Sequence, residues 1–465
     1  MTRRTLTLTV AIALLACGSP PPKDDKERHR TTVLSSPEVE EDVGREVAKE
    51  VEAEIGLVED EALRRYVQAV GARLARHAPG FRYDYHFEIA DEPAPNAFAL
   101  PGGRIFVSRG ALALMTSEDE LANVLGHEIA HVAARHAAAQ QRLAGGAVMR
   151  VLQMPYLASY SRDLERTADR VGQGLAAVSG YDPEGMARFL AALDRLDRVQ
   201  RGTSRRPGFL DSHPGTPGRV HEMSQRAGTI HWSRSPGIAE SSGGYLARVD
   251  GLVVGPDPSQ GIFDGPRFLH PELLFTFRLP DGFQTQNTPR AVGGISADRR
   301  MQILLELAGE GSDLAGAAQA FLDEVGRGLA LRQLGPVRVG GRDAYRVTGS
   351  LGGGELISTF LPYRGLVYRL SCAGSNRKQV EAFCAVTTRS FRPLTPDLLR
   401  DVSGLRLAVI PARGGESLDM LSARSQNAWT TAETAAWNAR GPESLLSAGE
   451  PVKIAREVPW TPADR

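Results

Sequence analysis

Ser117-Glu118-Asp119-Glu120-Leu121-Ala122-Asn123-Val124-Leu125-Gly126-His127-Glu128-Ile129-Ala130-His131-Val132 is the stretch from which the rest of the chain is read. Ser117 offers a helix cap, and three acids in the first turn complement the helix dipole. Leu121, Val124, Leu125, Ile129 and Val132 recur at helical spacing, so the helix has a buried side. His127, Glu128 and His131 fall among these apolar positions. Residues four apart lie ~40° apart around a helix, so both imidazoles leave one face and can meet one ion. Glu128 then stands beside the metal, placed to take a proton from a water on it. A buried His-Glu-His cluster is costly unless something compensates it, and zinc would. His136 lies nine residues beyond His127. On a continued helix it projects from the opposite side, so it is not counted as a ligand.

Zinc in a hydrolase usually takes three protein ligands and leaves a place for water. Ser161-Arg162-Asp163-Leu164-Glu165-Arg166-Thr167-Ala168-Asp169 reads as the start of a second helix, with Glu165 and Asp169 on one face. Alone, so charged a run is a solvated surface. Beside the HExxH, Glu165 is the expected third ligand, and Asp169 is expected to accept a hydrogen bond from a ligand histidine.

Four segments now carry a family resemblance. They are Asn96-Ala97-Phe98-Ala99-Leu100-Pro101-Gly102-Gly103-Arg104-Ile105-Phe106-Val107, Gly126-His127-Glu128-Ile129-Ala130-His131-Val132, the Ser161-Arg162…Glu165…Ala168-Asp169 run, and Ser212-His213-Pro214…Arg219. Their order and spacing resemble the zinc metallopeptidases that include CAAX prenyl proteases, HtpX-like proteases and BepA-like periplasmic proteases. The resemblance covers roughly residues 37 to 235. It implies one zinc per chain on His127, His131 and Glu165, with Glu128 as general base and then proton donor to the leaving amine. It places Asn96 at the cleft edge near bound peptide, and His213 and Arg219 at the transition-state oxygen. A metal and a His or Arg donor would stabilise the charge that builds there. His213 has a second reading, as a fourth zinc ligand in a latent state. Pro101-Gly102-Gly103 is a strong turn signal between two short strands. Such a hairpin could offer an edge to an extended peptide, or be purely structural.

Thr2-Arg3-Arg4, an apolar run and Leu14-Leu15-Ala16-Cys17 resemble a bacterial lipoprotein signal, with cleavage before Cys17 and lipid on it. Gly18 is not the aspartate associated with inner-membrane retention. By that resemblance the chain is a periplasmic protein, lipid-anchored to the outer membrane of a Gram-negative bacterium. Cys372 and Cys384 remain, either as a disulfide, which we expect in an oxidising periplasm, or as two buried thiols.

The expected divisions are a signal peptide at 1–16, a disordered tether at 17–36, the metallopeptidase at 37–235, a linker at 236–266, an α+β domain at 267–396 and a tail at 403–457. The fold class is α+β: a mostly helical zincin-like catalytic domain with a short hairpin edge, a domain loosely resembling PsbP/Mog1-like sandwiches, and a degenerate LysM-like end. The period near 34 residues of a tetratricopeptide array is absent. Equal numbers of basic and acidic residues, 55 each, give no global field for nucleic acid, and no nucleic-acid module is visible. The function expected is zinc-dependent cleavage of unfolded or misassembled envelope polypeptides. Peptidoglycan and the outer-membrane assembly machinery are further candidate partners. The alternative is a latent or chaperone-like envelope binding protein with structural zinc.

Overall fold

Pro37 opens the first helix, where its missing N–H costs nothing, and Ser36 caps it by accepting from Val39 N. The computed structural model describes residues 36–136, 160–200, 208–213, 217–239 and 241–462. Helix α1 is Pro37–Ile55 and α2 is Glu61–Ala75, which buries Leu63, Tyr66, Val67, Val70 and Leu74. Strands β1 (His86–Ala90), β2 (Ala97–Leu100) and β3 (Arg104–Ser108) form one sheet in the order β1-β3-β2, with β2 at an edge. Strand β1 begins at His86. Its parallel partner β3 starts at Arg104, directly opposite His86, so residues 81–85 have nothing to pair with. The hairpin turn Pro101–Gly103 holds two glycines at positive φ, 75° and 92°. Helix α1 lies on that turn: a Cβ on Gly44 would come within 1.9 Å of Pro101 O.

Helices α3 (Arg109–Leu114), α4 (Glu118–Ala133), α5 (Arg162–Val178), α6 (Gly185–Val199), α7 (Phe209–Ser212) and α8 (Pro217–Ala227) follow. Every residue of α4 from Glu120 to Val132 is buried. Helices α4 and α5 cross backbone against backbone: a Cβ on Gly172 would stand 2.8 Å from His127 N. That contact brings the HExxH segment beside Glu165 and Asp169.

The stretch expected as a linker is not one throughout. Ser241 caps α9 (Ser242–Val249), which sends Tyr245, Leu246 and Val249 into the main core. Tyr245 Oη donates to Leu112 O at 2.7 Å. The Ser-Gly composition suggested a spacer, but these three apolar side chains decide where the segment goes.

The chain divides into two compact units, one running to Pro256 and including Gly404–Val458, the other Asp257–Ser403 with the last residues. In the second, β4 (Ile262–Asp264), β5 (Arg267–His270) and β6 (Phe275–Arg278) join β14 (Arg392–Pro393) in a four-stranded sheet. A seven-stranded antiparallel sheet contains β7 (Phe283–Asn287), β8 (Ala291–Ser296), β9 (Met301–Glu310), β10 (Leu329–Val339), β11 (Arg342–Leu351), β12 (Gly354–Tyr363) and β13 (Leu366–Gly374), in the order β10-β11-β12-β13-β9-β8-β7. Helices α10 (Leu314–Val325), α11 (Arg377–Ser390) and α12 (Pro396–Arg400) complete it. Cys372 of β13 and Cys384 of α11 form the disulfide.

The tail is β15 (Ser403–Pro411), α13 (Leu418–Ser425), α14 (Thr431–Trp437) and β16 (Pro451–Pro459), with β15 paired to β16. It was expected as a separate module, yet it belongs to the same compact unit as α1 to α9. Trp429 and Trp437 stack at 4.8 Å and join that unit's core. Lys453 is fully buried and donates to Ala113 O, Leu114 O and Met115 O at 2.7, 2.7 and 2.9 Å. Those carbonyls end α3, where helical partners run out. Among the described residues no helix is long and apolar enough to cross a membrane.

Candidate metal centre

His127 and His131 leave α4 on one face, and their Nε2 atoms lie 3.0 Å apart. Glu165 of α5 reaches both: Oε2 is 3.5 Å from His127 Nε2, and Oε1 is 3.3 Å from His131 Nε2. His213, just after α7, brings Nδ1 to 2.9 Å from Glu165 Oε1 and 3.3 Å from His127 Nε2. One atom from each of these four buried residues falls within 4.8 Å of all the others. Two ligands 2.0–2.1 Å from a tetrahedral zinc are about 3.3 Å apart, so these separations suit that ion. The two imidazoles and a carboxylate expected as ligands therefore converge, with His213 beside them.

The surroundings also call for positive charge. Burial would lower the pKa of His127, but hydrogen bonds to Asp169 and Glu165 pull it up to about 9. The same burial would raise Glu165, yet the charge of His213 and bonds from three imidazoles hold its carboxyl far below the usual range. His131 goes the other way, pushed well down by burial. A divalent cation supplies the charge these carboxylates draw in.

Asp169, expected to accept a hydrogen bond from a ligand histidine, has Oδ1 3.1 Å from His127 Nδ1, the nitrogen not facing the cluster, at ion-pair distance but without hydrogen-bond geometry. Arg219 takes a different place from the one its resemblance gave it. Its Nε and Nη2 donate to Asp169 at 2.7 and 2.6 Å, and its Nη1 is 2.8 Å from Glu165 Oε2. The guanidinium thus faces both carboxylates, and its Nη1 also donates to His213 O at 3.4 Å.

Glu128 is fully buried, and among the described residues neither oxygen has a hydrogen-bond partner. Burial raises its pKa, against the lowering influence of His213 and His127. His213 Nε2 lies 3.6 Å from Glu128 Oε1. A carboxylate left without partners in the interior is costly, and a general base is one reason to keep it so.

Asn96 directly precedes edge strand β2, is buried, and has no partner for its Oδ1 among the described residues. Phe209 links this edge to the centre: its N donates to Pro95 O at 3.0 Å, and its ring stacks on His213 at 4.3 Å. Tyr160 stacks on His131 at 4.0 Å. Neither aromatic was foreseen, although Tyr160 directly precedes the Ser161…Asp169 run and Phe209 lies four residues before His213. His136 was expected on the opposite side of the helix. Helix α4 ends at Ala133, however, and His136 Nδ1 lies 2.9 Å from His131 Nδ1. It is not one of the four clustered residues, so its omission as a ligand stands for a different reason. The Gln141–Pro155 run, Cys17, most of the Arg201–Gly208 stretch and Pro214 lie outside the described residues.

Residues 61–151 and 140–227 match the model of peptidase family M48. Beta-barrel assembly-enhancing proteases of Yersinia pestis and Escherichia coli K12 are each 30% identical, over 225 and 220 residues. The alignments take in 43% and 41% of this chain and 45% and 44% of those proteins. The chain thus spans less than half the length of these relatives. The mitochondrial metalloendopeptidase OMA1 of Schizosaccharomyces pombe is 29% identical over 177 residues, 34% of this chain and 52% of that protein. The solution structure of cyanobacterial PsbP from Synechocystis is similar to 30% of this chain and 98% of its own, at 13% identity and a TM-score of 0.24.

Proposed function

We propose that this chain, whose residues 61–227 make up a domain of peptidase family M48, is a zinc metalloendopeptidase that cuts unfolded or stalled polypeptides of the bacterial envelope. The observation that carries the reading is the convergence of His127, His131 and Glu165 beside Glu128, whose buried oxygens have no hydrogen-bond partner among the described residues. Zinc held there supplies Lewis-acid polarisation of a peptide carbonyl and acidifies a water molecule. The chain's own part is to place and move protons. Glu128, with its pKa raised by burial, accepts the proton of the attacking water and returns it to the leaving amine. His213 Nε2, 3.6 Å from Glu128, is a donor for the oxygen on which charge develops.

Substrate can lie along β2. Asn96 O accepts from Ser108 N, so by antiparallel alternation Ala97 and Ala99 turn their N–H and C=O away from β3. Main-chain pairing there tolerates many side chains, which suits unfolded substrates. Casein cleavage that stops with a zinc chelator, and a Glu128→Gln chain that keeps zinc but does not cleave, test the assignment. Cleavage by Glu128→Gln removes that residue from the mechanism.

The contacts of His213 Nδ1 with Glu165 and His127 favour a second state, in which His213 is a fourth ligand and the enzyme is latent. Basal proteolysis that rises in His213→Ala supports latency; proteolysis that disappears supports the oxyanion role. Periplasmic location, lipid on Cys17 and anchorage to the outer membrane rest on the lipobox-like Leu14–Cys17. The β-α-α-β order of the tail supports a LysM-like reading and peptidoglycan as a partner. Contact with the outer-membrane assembly machinery rests on the relatives' names. A chaperone-like protein with structural zinc would bind casein without cutting it.

A further inference from the structure

We propose that Glu40 of α1 is a positioning residue of the metal centre, acting through Arg135 and His136 on the ring of His131. The inference rests on the metal-centre reading above and deepens it.

Helix α4 closes with Ala134 N donating to Ala130 O at 3.0 Å, and Arg135 then adopts a left-handed backbone, φ 56°. An L-residue rarely takes that conformation unless its surroundings hold it there. Two contacts do. Arg135 N donates to Val132 O at 2.8 Å. Its side chain is gripped by Glu40, with Nε 3.0 and 3.1 Å from the two carboxylate oxygens and Nη2 on Oε1 as well. Glu40 is only 4% exposed and also accepts from Tyr83 Oη at 3.0 Å. Its helix cannot slide, because Gly44 and Gly102 bring α1 and the hairpin turn into backbone contact.

The left-handed turn brings the next residue back over α4. His136 Nδ1 thereby meets His131 Nδ1 at 2.9 Å. His131 uses its other nitrogen for the cluster, with Nε2 facing His127 and Glu165. A proton on His131 Nδ1, donated to His136, leaves the Nε2 lone pair free for the ion. His136 thus does for His131 what Asp169 does for His127, and Glu40 keeps it in place.

The test uses the full chain and five proteins: wild type, His136→Ala, His136→Gln, Glu40→Gln and the Glu40→Gln/His136→Ala double variant. Zinc affinity is measured by competition with a chromophoric chelator, and ligand geometry by the absorption spectrum of the cobalt(II) form. His136→Ala should lose about 10- to 100-fold in zinc affinity and shift the cobalt bands. His136→Gln, whose amide oxygen can accept from Nδ1–H, should recover most of the loss. Glu40→Gln should move both readouts the same way by a smaller factor. The double variant should be no worse than His136→Ala, because both act along one path. Wild-type affinity in either Glu40→Gln or His136→Ala overturns the proposal, as do losses that multiply in the double variant. So does a fall in affinity with unchanged cobalt bands and a collapsed melting temperature of the metal-free form, which marks a folding defect. A wild-type chain that takes up no zinc overturns the metal-centre reading itself.

Discussion

Asp169 Oδ1 lies 3.1 Å from His127 Nδ1, while Arg219 holds the same carboxylate at 2.6 and 2.7 Å. The carboxylate charge beside Nδ1 favours a proton on that nitrogen, while Nε2 faces Glu165 and His131. In Asp169→Asn the shape survives, but an amide NH2 can now face Nδ1 and favour the opposite tautomer. Arg219 also loses half of its buried counter-charge. We expect zinc affinity to fall roughly 10- to 100-fold, read by chelator competition. Unchanged affinity would show that the pair is merely structural.

The crossing of α4 and α5 sets the spacing of the ligands, and two glycines of α5 test it. A Cβ on Gly172 would lie 2.8 Å from His127 N and 3.0 Å from Gly126 C, whereas one on Gly174 meets nothing within 4 Å. Gly172→Ala should push the helix carrying Glu165 away, costing about 1–3 kcal/mol and most of the zinc affinity. Gly174→Ala should instead stabilise by about 0.5–1 kcal/mol, because it removes a helical glycine. Denaturant midpoints of the two variants that move together would contradict this account.

Local chemistry was legible in the sequence. The spacing of His127 and His131, the cap at Ser117, the shared face of Glu165 and Asp169 and the turn at Pro101–Gly103 each follow from short-range geometry, and the structure contains them. What was not legible depends on distant partners. Strand β10, Leu329-Ala330-Leu331-Arg332-Gln333-Leu334, is largely exposed and shows no alternation, so only its pairing with β11 reveals a strand. Two glycines hide β8 in the same way. Lys453 carries no hint that its ammonium sits on the end of α3, more than three hundred residues earlier. Arg135 gives no sequence signal for the left-handed turn that returns His136 to His131.

Lys453 supplies a stability prediction with a definite sign. Burial pulls its pKa down to about 7 from 10.5, with Glu120 acting the other way. The unfolded chain therefore binds that proton more tightly than the folded one between those two values. Stability should rise with pH from about 7 toward 10 through this group, and Lys453→Met should flatten the slope. The same variant leaves Ala113 O, Leu114 O and Met115 O without their donor and should lower the melting temperature of the metallopeptidase unit. A chain cut after Ser403 should fail to fold that unit. A truncated chain with normal melting and activity would show the tail to be separable.

The disulfide ties α11 to β13 across a separation of 12 residues. Closing so short a loop is worth about 2–3 kcal/mol in the chain-entropy model. Cys384→Ser should lower the unfolding free energy of the unit containing Asp257–Ser403 by that amount, read from its denaturant titration, and leave zinc affinity and casein cleavage as they were. A change in cleavage would mean that the two units are functionally coupled.

Metal removal should be felt as a loss of fold stability as well as of activity. His127, His131, Glu165 and His213 are buried within a few ångströms of one another, so without a cation their charges and lone pairs face each other in the interior. An ion that binds only the folded state at a thousand times its dissociation constant adds about 4 kcal/mol. For a unit of this size that is roughly 8–16 °C in melting temperature. Chelator-stripped protein should melt that much lower and recover when zinc is returned. In His213→Ala the recovery should be smaller if His213 is a ligand, and equal to wild type if it serves only the transition state. Melting curves of the two proteins, with and without zinc, therefore separate the latent state from the catalytic one without any substrate.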